Sequence, residues 1–412
     1  MIRVIPYSEA QDLVTRKAVR LAEAERAVLP VMEAVRTRGD AGLREYAQKF
    51  DGFTGDFRVP ADTCSAALEQ WPPSLREAVE TATANIRSYA AQQLPEEKAI
   101  EYPDGRRLGQ VVRPLDAMGA YIPAGRYPLP STLLMTAVPA QVAGVKRIAV
   151  ACPRPSAEIL GIAAFLGVTE LYRMGGAQAI AALAYGTETI PKVDRIVGPG
   201  NIYVAAAKKI IAGEVGIDFV AGPTEIVIIA EDGDPRFLAS DMLAQAEHDT
   251  EASAILLTTS QSLATAVAAE IERQLETLTT ADVARQAIDG NSAIVVTSDV
   301  AQAVAFSNAL APEHLSIHGR ALLPGITHAG SVFVGPYSPE AAGDYASGPN
   351  HVLPTSGAAR LRGGLSAADF VKVISVQELS RDGLQRLVPA VTTLARAEGL
   401  EAHARSVEVR YA

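Results

Sequence analysis

The chain has 412 residues, 48% hydrophobic and 20% charged, with a net charge of −10; this supports two or three cores and excludes a nonspecific nucleic-acid binder, which needs clustered Lys and Arg. Two cysteines, Cys64 and Cys152, exclude a disulfide framework or a cysteine-rich zinc site, so any metal would rest on His, carboxylate or amide oxygen. Met1 to Ala10 lacks a basic stretch followed by an apolar run, and no segment approaches bilayer-spanning length, so neither a signal peptide nor a membrane partner is expected and the location reads as cytoplasmic.

Residues 1–50 read as helical, with apolar positions at helical spacing through Leu13, Ala18, Leu21, Val28, Met32 and Val35. Residues 74–95 continue the pattern after Pro72-Pro73. The character changes near residue 110: Met118 to Pro128 is dense in Gly and Pro and reads as a constrained loop. Helix and strand then alternate. Helix 132–142 precedes strand 147–152, helix 157–166 precedes strand 170–174, helix 178–185 precedes strand 194–197, and helix 203–212 comes after. A second series opens with strand 224–230. It continues through helix 236–248, strand 254–258, helix 263–274, strand 293–297, helix 300–308 and strand 331–334. Such alternation predicts an α/β protein with two Rossmann-like parallel-sheet domains, a helical N-terminal segment and a helical tail after about residue 366.

Of the six histidines, four sit beside carboxylates or amides, where imidazole serves as zinc ligand or as acid and base near neutral pH. Gln245 and His248 are three apart in an expected helix, so they share a face that could begin a metal site. A structural histidine explains that pair as well. Glu313-His314 places a carboxylate and an imidazole in different directions, suited to two proton-transfer tasks or to an ordinary helix-to-strand junction. Gly343 just before Asp344, with Gly348 and Pro349 between it and His351, lets the peptide fold back and join the two. A turn with Asp344 and Asn350 on backbone amides would look the same. Glu398 and His403, five apart around Gly399, read as solvated surface unless other pieces converge on them.

Two glycine-bearing turns, Gly175-Gly176 and Gly198-Pro199-Gly200-Asn201, come after a strand and open a helix, where free amides can hold phosphate. Neither matches the G-x-G-x-x-G fingerprint, and both also fit simple βα turns.

Together these segments closely resemble the histidinol dehydrogenase family, from about Gly109 to Val407. The residues that carry it are Gly175 to Gly186, Gly198-Pro199-Gly200-Asn201, Ala221-Gly222-Pro223-Thr224-Glu225, Gln245-Ala246-Glu247-His248, Pro312-Glu313-His314-Leu315, Gly343 to Gly348 and Asn350 to Thr355. The resemblance implies Zn2+ and NAD as cofactors and oxidation of L-histidinol to L-histidine through L-histidinal. It implies zinc ligation by Gln245, His248, Asp344 and His403, and NAD contacts from Tyr121, Gln178 and Asn201. Thr224, His351 and Glu398 would hold the substrate with the metal ligands, and Glu313 and His314 would be the catalytic pair that also faces it. A homodimer with shared sites is implied, the tail of one subunit completing the site of the other. The corresponding division is 1–20 as an N-terminal helical segment, 21–118 plus 224–366 as the domain with the metal site, 119–223 as the domain with the NAD contacts, and 367–412 as the tail. Two positions depart from the family pattern. Thr224 stands where Ser is frequent, keeping the hydroxyl, and Pro349 stands where Thr is common, removing a backbone donor before His351. A paralogous zinc- and NAD-dependent dehydrogenase of another small alcohol is the alternative.

Overall fold

The computed structural model describes residues 1–14 and 21–411. Its strands in chain order are β1 (Arg3–Pro6), β2 (Lys98–Glu101), β3 (Arg106–Pro114), β4 (Ala117–Tyr121), β5 (Arg147–Ala151), β6 (Glu170–Tyr172) and β7 (Arg195–Val197). The rest are β8 (Gly216–Ile217), β9 (Glu225–Ile229), β10 (Ser253–Thr258), β11 (Ala293–Val296), β12 (His314–Ile317), β13 (Ser331–Val334) and β14 (Val371–Leu379).

Two parallel sheets result. The larger runs β1-β11-β10-β9-β12-β13 and the smaller β6-β5-β4-β7-β8. Numbered from the first strand of its own βα series, each has the order 3-2-1-4-5, with β1 added at the outer edge of the larger sheet. The central strands are mostly apolar and buried at every position, as in Glu-Ile-Val-Ile-Ile of β9, where only Glu225 at the entrance is polar, because helices cover both faces. Connecting helices start on side-chain caps: Asp234, Ser260 and Asp299 accept backbone N–H bonds from Arg236, Leu263 and Gln302.

The α/β class with two parallel sheets is as expected, and most strand and helix positions agree within a few residues. Four details differ. The segment 1–20 is not simply helical: β1 adds a parallel strand to β11 before a short turn of helix, Gln11–Val14. Residues 15–20 lie outside the described residues. Secondly, β4 lies within the stretch expected to be a loop. Its Gly119 is used for packing, since a Cβ there would press on Leu183 and Val193.

The third correction concerns residues 21–118, expected in the domain with the metal site. Their helices clothe the smaller sheet instead. Leu21–Arg38 packs on Gly176–Tyr185 and Ile202–Ile211, Ala61–Glu69 on Ala157–Phe165, and Pro73–Ala91 on Pro130–Ala143. An amphipathic pattern reveals which face of a helix is buried but not the surface it is buried against. The boundary at 118/119 also cuts through β4. Finally, the tail is not wholly helical: β14 pairs antiparallel with β3 over nine residues, from Val371↔Pro114 to Leu379↔Arg106, and the helices Arg381–Ala397 and Glu401–Glu408 come after it. Among the described residues no helix is long and apolar enough to cross a membrane.

Candidate active site

A cavity of about 1070 Å³ opens between the two sheets. The smaller sheet lines it with the segments just beyond β7 and β8, including Gly200, Asn201 and Phe219. This is the carboxyl edge, and β4 and β7 flank the point where strand order reverses, the usual ligand crevice of an open α/β sheet. The larger sheet faces the cavity with its amino edge, through Thr224 and Glu225, Ser253, and Glu313 and His314. One cavity therefore joins a binding edge of one sheet to a polar cluster at the opposite edge of the other.

Glu313 and His314 enter as β12 begins, both buried. Glu313 Oε2 accepts from Thr224 Oγ1 at 2.5 Å and from the Glu225 amide at 3.0 Å. Burial pushes its carboxyl up to about 7 despite His314 and these donors. His314 Nδ1 lies 3.3 Å from the Glu225 carbonyl oxygen, which can only accept, so Nδ1 carries the proton. Nε2 is left buried without a hydrogen bond, 3.7 Å from Asp344 Oδ1. Burial alone would keep the ring neutral, but the carboxylates of Glu340, Glu313 and Asp344 raise its pKa to about 10.

Gln245 sits in the last turn of the helix Pro235–Ala246, and His248 two residues beyond its end, half exposed at the cavity. Asp344 lies in the last turn of a short helix, Glu340–Tyr345, with Oδ2 3.9 Å from His248 Nε2. Burial opposes its ionisation, yet the charge of His314 holds it below the usual carboxylate range. Gln245 Nε2 donates to Thr224 Oγ1 at 2.7 Å, which leaves the single Thr224 hydroxyl proton for Glu313 and turns the Gln245 oxygen towards His314 Nδ1 and Glu340.

His351 Nδ1 lies 2.7 Å from the Asp344 carbonyl oxygen and must donate to it, while Nε2 faces Thr132 Oγ1 at 3.3 Å. Burial lowers its pKa, so the ring is neutral. Pro349 does not loosen this loop. Asn350 donates to Met135 O at 2.6 Å and accepts from Val352 N at 2.9 Å, clamping both sides of His351.

Ligand atoms of His248, Glu340 and Asp344 lie within 4.8 Å of one another. Gln245 backs the group, giving a mixed nitrogen and oxygen donor set suited to a divalent ion. Glu340 was missed in the sequence. Its signal was the spacing of four to Asp344, which puts two carboxylates on one helical face. Thr132 was missed too, buried in an apolar helix with no polar pattern around it.

The other expected residues fall elsewhere. Tyr121 ends β4 with its hydroxyl accepting from the Gly176 amide at 3.1 Å, and Gln178 donates to Asp51 Oδ2 at 3.0 Å. Both are buried beside the cavity rather than lining it. Asn201 lines it, capping Ile202–Ile211 by accepting from Tyr203 and Val204 amides at 3.1 Å. Glu398 and His403 lie exposed in the tail and do not line this cavity.

Known proteins share this architecture. The family model described as Histidinol dehydrogenase matches residues 14–411. A histidinol dehydrogenase of Geobacillus kaustophilus is 50% identical over 398 residues, covering 94% of each chain. One from Methanothermobacter thermautotrophicus is 45% identical over 415 residues, 98% of this chain and 97% of that relative. The crystal structure of histidinol dehydrogenase from Elizabethkingia anophelis superposes with a TM-score of 0.94 at 39% identity, covering 100% of this chain and 98% of that one.

Proposed function

The chain belongs to the histidinol dehydrogenase family, NAD-dependent oxidoreductases of histidine biosynthesis, and on that premise we propose that its cavity oxidises L-histidinol to L-histidine through L-histidinal. The observation that carries the residue assignment is His314, whose buried Nε2 has no hydrogen bond and lies 3.7 Å from Asp344, while Nδ1 lies 3.7 Å from Glu313 and 3.9 Å from Glu340.

NAD is the hydride acceptor for both oxidations, and the protein's task is to hold the reacting carbon and exclude competing chemistry. Gln245, His248 and Asp344, with His403 from a second copy, would hold a zinc ion, which when bound would supply Lewis acidity and an anchor for the substrate's nitrogen donors. The N/O set would also accept manganese or cobalt, so zinc is the reading the family favours. Thr224, His351 and Glu398 orient the amino alcohol.

His314 Nε2 takes the hydroxyl proton of the alcohol in the first oxidation. Water must then add to the aldehyde. Glu313, with Oε2 fixed by Thr224 and the Glu225 amide, takes a proton from that water, and its pKa near neutrality suits a general base. As water adds, His314 returns its first proton to the aldehyde oxygen, and the freed Nε2 then takes the hydroxyl proton of the hydrate in the second oxidation, giving the carboxylate. Low dielectric around the buried pair strengthens each of these interactions.

Two tests separate these roles. Glu313→Gln should slow oxidation of added histidinal by about 10²–10⁴-fold while histidinol oxidation to the aldehyde falls far less. Equal loss in both half-reactions would remove Glu313 from the water-activating role. A chelator should abolish turnover with the circular dichroism spectrum retained, and zinc add-back should restore it, because the cluster sits at an open cavity and not in a core. Unchanged turnover in metal-free protein would refute the metal assignment.

A further inference from the structure

The ion pair between Lys208 and Asp218 takes no part in the chemistry above. Lys208 projects from the helix Ile202–Ile211, Asp218 lies just after β8, and their side chains are 2% and 0% exposed. Withdrawing two charges from water is costly, and such a pair adds little to stability compared with apolar side chains of the same volume. Its contacts show what it holds. Asp218 Oδ2 accepts from the Gly198 amide at 2.8 Å, and Lys208 Nζ donates to the Gly198 carbonyl oxygen at 3.1 Å. Both backbone groups of one glycine are taken by the two members of one ion pair.

Gly198 is where the chain leaves β7 at the point of strand-order reversal. Its φ is 112°, and a Cβ there would collide with the Tyr121 carbonyl oxygen. Three residues later Asn201 caps the next helix at the cavity wall. Asp218 also accepts from the Phe219 amide at 2.6 Å, and its own carbonyl oxygen accepts from Arg362 at 2.6 Å. The acid thus anchors both the turn and the wall that runs on towards Thr224.

We propose that Lys208 and Asp218 are positioning residues for the dinucleotide: by fixing the Gly198 backbone they hold the Gly198–Asn201 turn in the shape that meets the cofactor. The inference rests on reading Asn201 as a cofactor contact. Neither charged side chain touches the ligand; each acts through the turn.

The test uses Lys208→Met and the double variant Lys208→Met/Asp218→Asn, which leaves no lone buried charge and carries the test if the single variant fails to fold. NADH binding is tracked by its fluorescence, alongside steady-state kinetics and metal content. The NADH Kd and the KM for NAD should rise about ten-fold or more, while the KM for histidinol and the metal content stay within about two-fold. A merely structural pair would lower the melting temperature and leave cofactor affinity unchanged, or shift both substrates' constants equally; either result overturns the proposal. Asn201→Ala is the control for the reading beneath. If it leaves NADH affinity unchanged, the turn does not carry the cofactor and both fall. If it weakens NADH and the ion-pair variants do not, the positioning role alone is lost.

Discussion

His314→Asn should abolish oxidation of both histidinol and histidinal, with kcat falling by about 10²–10⁴-fold for each. The prediction rests on the single free imidazole nitrogen. Nδ1 is committed to the Glu225 carbonyl, so Nε2 is the atom that can accept a proton, and both oxidations require one to be accepted. Asparagine can keep a donor near that carbonyl but offers no base. The pH dependence has a definite sign. Burial alone would favour neutral His314, but three neighbouring carboxylates raise its pKa to about 10, and only the deprotonated ring is a base. The kcat/KM for histidinol should therefore rise with pH, and the variant should lose that limb. A cation seated at His248 and Asp344 counters part of the carboxylate field, so the limb should move to lower pH as metal is loaded. A variant that oxidises histidinal at the normal rate, or keeps the same rising limb, would take His314 out of both steps.

How much of the fold and site was legible in the sequence depends on the range of the physics involved. Strands such as β9 and β10 announce themselves by local composition, since runs of four and five consecutive apolar or β-branched residues fit a doubly covered strand. In contrast, β4 carries Gly119 and runs into a Gly- and Pro-rich stretch, so local signals pointed to a loop. Its strand character comes from β5 and β7 on either side. The same holds for the site. Thr224, Glu313, His314, His248, Asp344 and His351 stood out as polar groups in short motifs, and they line one cavity. Glu340 did not, because its spacing of four to Asp344 puts two carboxylates on one helical face without telling a buried one from a solvated one; its role appears only when β12 brings His314 Nδ1 to 3.9 Å from it. Domain membership was the least legible. The helix Leu21–Arg38 shows a buried face, but which sheet it covers is decided by chain topology far away.

Mixing two inactive variants, His248→Asn and His403→Ala, should restore activity. His248 lies at the cavity with Asp344, whereas His403 lies exposed on the helix Glu401–Glu408. The tail also presents apolar side chains that want cover: Val373 and Ile374 on β14 are 50% and 47% exposed, and Leu394 is 64% exposed. If a second copy covers that surface and receives His403, each site takes its cavity from one chain and its tail from the other. A heterodimer of the two variants then has one doubly damaged site and one intact site. Random reassociation of equal amounts makes half of the dimers heterodimers, so roughly a quarter of the wild-type activity should return. A site completed by its own tail predicts none, because every chain carries one lesion. Size-exclusion chromatography confirms that subunits have exchanged before the assay. With exchange complete and no activity recovered, the tail does not serve the neighbouring site, and the fourth ligand must be sought within the chain, where Glu340 already stands among the candidate donors.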